Sequence, residues 1–556
     1  MSFNTPALDP LATKNFYTMD IGKSSAMKFM FIGTLILLVV RLVLGFKNRG
    51  RLPPGPRGLP ILGNALQLAS VSQIWLMFDK WKSQYGPITY LNLAGQHIVV
   101  LNTKAAALEL LERRSAIYSD RPKSIVGEYV GTALTMPFVR YDKRWQRMRR
   151  AAHAVLNVRA SAQYQPVQIE EAVIFAHKLL YDTSSPLLTK IARSASTMIS
   201  VIYGKQLLES SEKSIQPDAL PEKHSSETFG PPSDPLHALL DTVHTFTNAL
   251  APGSHLVEFL PILDYLPTAL ARWKQNAKRD FQQTASVYES YYNLTVNSDN
   301  QQPNICVSLA ENEVAGELTA VEKIWVTGAI SAASLDTTTV TLSYFLYAMS
   351  LYPEVQERAQ LLLDEVVGRS RMPNFDDMKQ LPYIRAIVKE VLRWQPVTPL
   401  AIPHAAMEDD WYEGYLIPKG TIIFPNVWSM NHDQETYGPD ADQFSPERFI
   451  QKSETGNGFV LRPEFENNDG HFSYGFGRRI CVGRHVAENS LFITACTILW
   501  ALHIEPKAVT TPMSKHGEAQ DILNSTPDFD CHFSPRFPGV EGILQDTLAG
   551  SNVAVS

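Results

Sequence analysis

The spacing of apolar and polar positions predicts that most of the chain is helical. Apolar residues recur at helical intervals in residues 74–201, 236–293 and 319–351. The last of these segments is almost entirely apolar and ends before Pro353. Short runs with β character occur at residues 98–101 and 421–424. No repeat or break in composition requires a second domain, so we predict one mainly α-helical domain with a minor β portion over residues 65–540.

One segment near the N-terminus has the length and apolar character of a membrane span. Residues 29–46 contain a single charge, Arg41, and as a helix they would extend about 27 Å, close to the thickness of the endoplasmic reticulum bilayer. Basic residues follow at once and favour the cytosol for the C-terminal side: Lys47, Arg49, Arg51 and Arg57. No small-residue cleavage site follows, which argues against a signal peptide. We predict a lumenal leader over residues 1–28, an anchor over 29–46 and a basic, proline-rich linker over 47–64.

Two further segments are set apart by composition or position. Residues 209–235 are rich in Ser, Glu and Pro, which predicts a flexible insert, and residues 541–556 are assigned to a C-terminal tail.

The formal net charge of -6 shows no basic excess and argues against a nucleic-acid-binding protein. Four cysteines in 556 residues, none in a CxxC pair, argue against a disulfide scaffold and a zinc ribbon.

The residues around Cys481 carry the most specific signal in the chain. Residues 472–483 read FSYGFGRRICVG, so three glycines and two arginines surround one cysteine. Glycines allow a tight turn and the close approach of a flat ligand, and backbone amides in such a turn can stabilise a thiolate. The helix predicted over residues 485–500 would point the positive end of its dipole at the sulfur. Taken alone, the pattern also fits a buried structural cysteine beside a glycine turn.

Residues 474–483, YGFGRRICVG, resemble the haem-binding signature of the cytochrome P-450 superfamily, and residues 401–430 resemble its microsomal branch in fungi. The resemblance, which extends over residues 52–533, implies the cytochrome P-450 fold and a haem b cofactor. It also implies that Cys481 is the axial thiolate ligand of the haem iron and that Arg479 pairs with a haem propionate. Tyr474 stands where the family usually has phenylalanine, which keeps the ring and adds a hydroxyl.

Trp145 and Arg149 lie four residues apart on a basic stretch, KRWQRMRR, which would place both on one face of a helix. By themselves they fit an ordinary solvated helix. The resemblance implies that this pair contacts the haem propionates. It also implies that Lys143, Arg144 and Arg147 belong to a positive surface for an acidic reductase.

An acid–alcohol pair, Asp336 and Thr337, lies midway along the apolar segment 319–351. Polar residues within an apolar helix need a hydrogen bond or a function, although Asp and Thr are also good helix N-caps. In the family this pair relays protons for oxygen activation, so the resemblance implies that both residues are catalytic. Ser334 stands where the family usually has glycine.

Three residues are expected to form a structural network that supports the haem pocket. Glu390 and Arg393 form an ExxR pair, and Arg448 belongs to the sequence PERF at residues 446–449, which resembles a second element of the family. His404 lies in the segment after the ExxR helix. The resemblance places this histidine against a propionate, and a solvent-facing histidine is an equal alternative.

The resemblance implies a monooxygenase that inserts one oxygen atom from O2 into a lipophilic small molecule, either a secondary metabolite or a xenobiotic. Electrons would come from NADPH by way of a separate NADPH-cytochrome P-450 reductase, with cytochrome b5 as a further candidate partner. With the anchor, we expect a single-pass protein of the endoplasmic reticulum membrane whose catalytic domain lies in the cytosol. The segments expected to line the substrate are mainly apolar: residues 125–138, 236–260, 330–333, 397–402 and 527–529.

Two alternatives remain open. A haem-thiolate isomerase or dehydratase would use no O2 and would need no proton relay. A membrane-tethered haem-binding protein would have no catalytic function. The presence of Asp336 and Thr337 favours the monooxygenase.

Overall fold

The structure is a computed structural model that describes residues 51–550 except 70, 183–184, 195, 206–233, 252, 299–302, 454–455, 457, 467–468 and 508–528. The predicted leader and anchor, nearly all of the predicted insert and residues 527–528 of the expected substrate lining are outside the described residues. Within the described part of the chain, no helix combines the length and the apolar character needed to cross a membrane.

Helices dominate the described residues, which confirms the prediction of a mainly α-helical protein. The helices of eight residues or more are α1 Ile74–Tyr85, α2 Lys143–Leu156, α3 Gln165–Tyr181, α4 Leu187–Ser194, α5 Ser196–Tyr203, α6 Pro235–Leu250, α7 Arg272–Val296, α8 Ala320–Leu351, α9 Pro353–Val366, α10 Pro382–Trp394, α11 Arg484–Ala501 and α12 Val540–Gly550. Shorter α-helices lie at Ala65–Ala69, Lys104–Ala107, Ser115–Tyr118, Ile125–Val130, Val158–Ser161, Leu256–Phe259, Ile305–Glu311, Val427–Asn431, Gln434–Tyr437 and Pro463–Glu466.

The β portion consists of short strands. They are β1 Ile88–Leu93, β2 Gln96–Leu101, β3 His404–Ala405, β4 Asp410–Tyr412, β5 Tyr415–Ile417, β6 Ile422–Pro425, β7 Ile450–Lys452, β8 Phe459–Leu461, β9 Leu502–Pro506 and β10 Cys531–Pro535. The main sheet has the order β1-β2-β6-β3, in which β2 and β6 are parallel and the other neighbours are antiparallel. Because β3 pairs with β6, His404 lies opposite Ile423 at the edge of this sheet.

Helix α8 runs through the core of the protein, and its first turn fixes where it starts. The Thr319 hydroxyl accepts a hydrogen bond from the Glu322 amide (3.2 Å), and the Glu322 carboxylate accepts one from the Thr319 amide (3.0 Å). This reciprocal capping satisfies two amides that the helix cannot pair internally. Since the helix begins there, Asp336 and Thr337 are interior helix residues, and the N-cap alternative for this pair is excluded.

Helix α11 follows the segment that contains Cys481 and anchors it to the core. The helix is buried along most of its length and packs against α3, α9 and α10. Burial of its apolar side chains stabilises this position, because removing apolar surface from water is favourable. The residues that immediately precede α11 are therefore attached to a helix that is fixed in the core.

The proline-rich linker is docked on the main sheet over its described residues. The Pro54 carbonyl accepts a hydrogen bond from the Tyr90 amide of β1 (2.8 Å). A side chain at Gly55 would overlap the carbonyl of Tyr90, so glycine permits this close approach. The linker thus packs against the folded body.

The C-terminal boundary differs from the prediction of a tail over residues 541–556. Residues Val540–Gly550 form α12, which packs against α3. Val540, Leu544 and Leu548 are fully or almost fully buried in this contact. Their spacing of four residues puts them on one helix face, which explains why the folded body continues to Gly550.

Candidate active site

The cysteine loop, residues 472–483, is a tight turn whose backbone holds Cys481 in place. The Cys481 amide donates a hydrogen bond to the Tyr474 carbonyl (2.8 Å), which closes the loop. Gly475 and Gly477 have φ angles of 77° and 54°, in the left-handed region that favours glycine. A side chain at Gly477 would overlap the Leu111 carbonyl oxygen, so this glycine is required by close packing as well.

Cys481 is accessible to solvent, although protein atoms surround its thiol and partly shield it from water. Burial raises the pKa of the Cys481 thiol, whereas the Gly483 amide and the charges of Arg149 and Arg484 lower it. Helix α11 begins at Arg484, three residues after the cysteine, so the positive end of its dipole faces this loop. A soft metal ion would ionise a thiol in this position outright.

Arg479 is buried, and only part of its guanidinium has protein partners. Its Nε donates to the Ser119 carbonyl (2.8 Å) and its Nη2 to the Val139 carbonyl (2.8 Å). Its Nη1 is buried and has no hydrogen-bond partner among the described residues. Burial is the main reason why the pKa of Arg479 falls to about 9. An arginine in this state favours an anionic partner at Nη1.

A second buried guanidinium, that of Arg121, was not identified in the sequence analysis. Its Nε donates to the Pro137 carbonyl (2.8 Å), and its Nη1 donates to the carbonyls of Ile402 (2.7 Å) and Pro403 (2.8 Å). Burial first, and then the charge of Arg479, hold the pKa of Arg121 well below its usual range. No sequence motif marks this residue, because its partners come from distant backbone segments.

His404 is buried beside these two arginines, so the alternative of a solvent-facing histidine is wrong. Only 3% of its surface is exposed, and its Nδ1 donates to the Tyr118 carbonyl (2.8 Å). Burial and the charges of Arg121 and Arg479 hold the pKa of His404 well below its usual range. The ring is therefore neutral, with its second nitrogen, Nε2, left as an acceptor.

The cationic cradle, defined as Arg121, His404 and Arg479, carries positive charge that no ion pair among the described residues neutralises, although the charge of Asp120 favours the protonated form of both guanidinium groups. The carboxylate of the adjacent Asp120 accepts hydrogen bonds from the Arg140 guanidinium and from the Tyr141 amide (2.8 Å). Buried charges are normally paired. The cradle, with its free Nη1 on Arg479, therefore fits a ligand that carries carboxylates, as the propionates of haem do.

Trp145 and Arg149 both lie on α2, but they reach different partners. The Trp145 ring faces the guanidinium of Arg479, with 4.2 Å between Cζ and the ring centroid. Arg149 donates from Nη2 to the Ile480 carbonyl (2.5 Å). Trp145 thus belongs with the cationic cradle, whereas Arg149 holds the backbone next to Cys481 in this structure.

Two of the basic residues expected to form a reductase surface are engaged in ion pairs. Arg147 Nη2 lies 3.0 Å from a Glu322 carboxylate oxygen, and Arg144 Nε lies 3.6 Å from the same oxygen. Glu322 is buried, so it neutralises part of the positive charge of α2. Lys143 is exposed at the start of this helix.

Asp336 and Thr337 occupy the middle of α8, where the sequence analysis expected them. The Thr337 hydroxyl donates to the Ala333 carbonyl one turn earlier (2.8 Å), and the Ser334 hydroxyl donates to the Ser331 carbonyl (2.9 Å). Burial raises the pKa of Asp336. The pair therefore combines a hydroxyl held within the helix with a carboxyl that retains its proton more readily than usual.

The expected network of Glu390, Arg393 and Arg448 is present, with Glu390 and Arg393 fully buried and the Arg448 side chain 9% exposed. Arg393 binds the Glu390 carboxylate through Nε (2.6 Å) and Nη2 (2.7 Å), and Arg448 Nε donates to the same carboxylate (3.0 Å). Arg393 also donates to the carbonyls of Asn431 and Ala441 (both 2.7 Å). The network ties α10 to the irregular segment that leads to the cysteine loop, which is a structural role.

Comparison with known proteins agrees with this geometry. The family model for cytochrome P450 matches residues 53–533. A cytochrome P450 monooxygenase of Armillaria gallica is 39% identical over 89% of this chain and 92% of its own length. Cytochrome P450 monooxygenase iboC of Amanita muscaria is 35% identical over 95% of this chain and 99% of its own length. Cytochrome P450 monooxygenase 58 of Postia placenta is 39% identical over 89% of this chain and 88% of its own length. The chain therefore belongs to the cytochrome P450 family and is a haem-thiolate monooxygenase.

Proposed function

We propose that this protein inserts one oxygen atom from O2 into a lipophilic small molecule, a secondary metabolite or a xenobiotic, with electrons from NADPH by way of a separate reductase. The observation that carries the proposal is the buried Nη1 of Arg479 without a partner among the described residues, two positions before Cys481. This places a guanidinium nitrogen that needs an anionic partner close in sequence to a thiol that can bind a metal. Haem b would satisfy both requirements at once.

Cys481 would hold the haem iron, and the cationic cradle would hold the propionates. Haem with a thiolate ligand supplies the oxygen chemistry, because electron donation from the sulfur favours cleavage of the O–O bond. Arg121 and Arg479 are fixed by backbone carbonyls at 2.7–2.8 Å, so they are oriented before the cofactor binds. Preorganised donors of this kind lose little entropy on binding.

Asp336 and Thr337 would deliver protons to the oxygen side of the site. The raised pKa of Asp336, caused by burial, increases the fraction of the carboxyl that carries a proton. The Thr337 hydroxyl donates to the Ala333 carbonyl, which leaves its oxygen lone pairs free to accept a hydrogen bond. A proton can therefore pass from Asp336 Oδ to a water and be held at Thr337 Oγ1.

A lipophilic substrate is supported by the apolar surroundings of the first half of α8. Buried apolar side chains from the expected lining segments meet in one cluster: Val126, Val130, Met136, Phe246 and Ile330. The rings of Phe138 and Phe246 stack with 6.5 Å between their centroids. Such a lining excludes water and gains free energy by burying apolar surface of a ligand.

Location at the endoplasmic reticulum membrane, through an anchor at residues 29–46, is supported by two exposed apolar segments. One lies in the linker and the short helix that follows it, and contains Leu59, Ile61, Leu62 and Leu66. The other joins α6 to α7 and contains Leu256, Leu260, Ile262, Tyr265 and Leu270, of which Tyr265 is 89% exposed. Groups of exposed apolar side chains that lie close together often contact a membrane or a partner.

NADPH-cytochrome P450 reductase is the proposed electron donor, with cytochrome b5 as a further partner. Exposed basic residues near the cysteine loop support this proposal, namely Lys143 of α2 and Arg478. An acidic partner would be attracted to them, and the attraction would weaken at high salt.

The test uses the full-length, haem-loaded protein with a reductase, NADPH and isotopically labelled O2 against a panel of apolar compounds. We expect one labelled oxygen atom in the product and none with Cys481→Ser. Cys531→Ser, in β10 and outside the loop, is the matched control and is expected to retain activity. Absence of labelled product across the panel would overturn the proposal that the substrate is a lipophilic small molecule oxidised with electrons from this reductase.

A further inference from the structure

Two consecutive carbonyl groups orient two side chains of the cationic cradle. The Tyr118 carbonyl accepts a hydrogen bond from His404 Nδ1 (2.8 Å), and the Ser119 carbonyl accepts one from Arg479 Nε (2.8 Å). The next carbonyl along the chain, that of Asp120, accepts from an amide of β3 (2.9 Å). The position of this short backbone segment therefore determines how His404 and Arg479 are presented.

The side chain of Tyr118 ties the same segment to β4. Tyr118 is fully buried, and its hydroxyl donates a hydrogen bond to Asp410 Oδ2 (2.9 Å). Burial first, and then this hydrogen bond, raise the pKa of Tyr118, so the hydroxyl keeps its proton and remains the donor. A hydrogen bond to a carboxylate is stronger than one between neutral groups. Tyr118 is thus held by β4 through its side chain and bonded to His404 through its carbonyl.

Asp410 is itself held in place by Arg114. Nη1 of Arg114 donates to both oxygens of the Asp410 carboxylate (2.9 and 3.2 Å) and to the Trp411 carbonyl (2.9 Å). Nε of Arg114 donates to Glu109 (3.0 Å). The side chains of Arg114 and Asp410 are 31% and 15% exposed, so this ion pair lies between the protein surface and the buried ring of Tyr118. The carboxylate that binds the tyrosine is therefore fixed by several contacts of its own.

A second set of the same composition lies elsewhere in the protein and allows a comparison. The Tyr383 hydroxyl donates to Glu447 Oε1 (2.7 Å), and Arg358 Nη1 donates to the same oxygen (2.9 Å). Tyr383 is also buried, but it lies on α10 and takes no part in the hydrogen bonds that orient the cradle. The two sets thus share a tyrosine, a carboxylate and an arginine, and only the set of Tyr118 is bonded to a cradle residue.

We propose that Tyr118, Asp410 and Arg114 are positioning residues for the haem cofactor, which act by holding the carbonyl that orients His404. This proposal rests on the proposed function, in which the cradle binds the haem propionates. With Nδ1 bonded to the Tyr118 carbonyl, the neutral ring of His404 presents Nε2 as an acceptor. Displacement of this carbonyl would free the ring to rotate and to exchange its tautomer. The hydrogen bonds offered to a propionate would then change.

The test uses the haem-loaded, full-length protein and the substitution Tyr118→Phe, which keeps the buried ring and removes only the hydroxyl. Resonance Raman spectroscopy should show shifted propionate bending bands. The reduction potential should fall, because a propionate that the cradle neutralises less well stabilises the oxidised iron. Transfer of haem to apomyoglobin should be about 2- to 10-fold faster, which corresponds to the loss of one hydrogen bond of ordinary strength.

Substitutions of Asp410 test the same bond from its other end. Asp410→Ala removes the acceptor and should shift the propionate bands in the same direction as Tyr118→Phe. Asp410→Asn keeps an oxygen acceptor without the charge, so its bands should lie between those of Asp410→Ala and the wild type. The double variant should shift the bands no further than Asp410→Ala, since both substitutions remove one interaction. Tyr383→Phe is the matched control and should keep the wild-type bands and potential.

The proposal is overturned if Tyr118→Phe and Asp410→Ala keep the wild-type propionate bands and reduction potential, or if Tyr383→Phe shifts them equally. A lower free energy of unfolding with unchanged bands would show a purely structural role and would also contradict it. Haem content of the wild type is measured first, so that a protein without haem contradicts the proposed function and not this inference. If Tyr118→Phe does not fold, Asp410→Asn decides, since unchanged bands in that variant exclude the role of the carboxylate.

Discussion

The guanidinium of Arg479 lies over the indole ring of Trp145, with Cζ 4.2 Å from the ring centroid. Two sequence motifs about 330 residues apart therefore meet in one contact. Helix α2 provides the aromatic ring, and the cysteine loop provides the positive charge. An aromatic face stabilises a buried cation without supplying a hydrogen-bond acceptor. This leaves Nη1 of Arg479 available for a ligand, which accounts for the pairing of tryptophan and arginine at this site.

Replacement of Trp145 by leucine should weaken haem retention. Loss of the cation–π contact costs about 0.5–2 kcal/mol, which corresponds to a roughly 2- to 30-fold faster loss of haem. Transfer of haem to an excess of apomyoglobin measures this rate. Trp145→Phe should fall between leucine and the wild type, and Trp411→Leu, at an exposed position in β4, should have no effect. Equal rates for Trp145→Leu and the wild type would contradict this role.

Replacement of Thr337 by alanine should separate NADPH consumption from product formation. The substitution removes the hydroxyl at which a proton is held and leaves the helix intact, since alanine is a good helix former. We expect NADPH oxidation to continue while the product formed per NADPH falls sharply, because loss of a general acid–base group slows the step it serves by about 10²- to 10⁴-fold. Thr339→Ala, whose hydroxyl also bonds one turn back within α8, to Leu335 (2.8 Å), is the control. An unchanged ratio of product to NADPH would show that Thr337 takes no part in the relay.

Replacement of Glu390 by glutamine should lower stability strongly. It leaves the buried guanidinium of Arg393 without its counter-charge, and breaking a buried ion pair in this way costs about 3–5 kcal/mol. Denaturant unfolding followed by fluorescence measures the change in the free energy of unfolding. Glu317→Gln disrupts an exposed pair with Arg150 and should cost only about 0–1 kcal/mol. Similar losses for the two variants would mean that the network does not stabilise the fold as argued.

Replacement of Glu258 by alanine should loosen the helix Ile125–Val130. The Glu258 carboxylate accepts hydrogen bonds from the amides of Ile125 (3.1 Å) and Val126 (2.9 Å) and from the Ser124 hydroxyl (2.8 Å). Loss of such a cap costs about 0.5–2 kcal/mol, which should appear as faster amide hydrogen exchange in this helix.

Glu289→Ala, at an exposed position on α7, is the comparison for Glu258→Ala. It removes the same side chain, glutamate, from a position that does not cap the N-terminus of a helix. Because residues 125–138 are expected to line the substrate, only Glu258→Ala should also weaken the binding of apolar ligands. Unchanged exchange in Ile125–Val130 would contradict the capping role.

The sequence was sufficient to predict those helices and motifs that depend only on residues close together in the chain. The apolar run before Pro353 predicted the end of α8 at Leu351, where the structure has it, and the ExxR pair placed Glu390 and Arg393 on one helix. These predictions depend on helical periodicity, which is a local property. The same reasoning located Cys481 in a glycine turn before a buried helix.

Long-range contacts account for what was missed. Arg121 belongs to the cationic cradle because it bonds the carbonyls of Ile402 and Pro403, about 280 residues away. Backbone carbonyls are present in every residue, so the pattern of side chains cannot indicate such a contact. Arg149 lies on the expected helix face but bonds the Ile480 carbonyl. Arg147 pairs with the buried Glu322, which no spacing within α2 could indicate.

The partners that orient the cradle have a consequence for how this enzyme can diversify. Arg121 and Arg479 are held by main-chain oxygens of Ser119, Pro137, Val139, Ile402 and Pro403. A carbonyl persists whatever side chain its residue carries. Mutations in these segments, two of which are expected to line the substrate, can therefore alter the shape of the pocket while the main-chain contacts that orient the two guanidinium groups stay the same. Selectivity and cofactor retention are free to evolve separately.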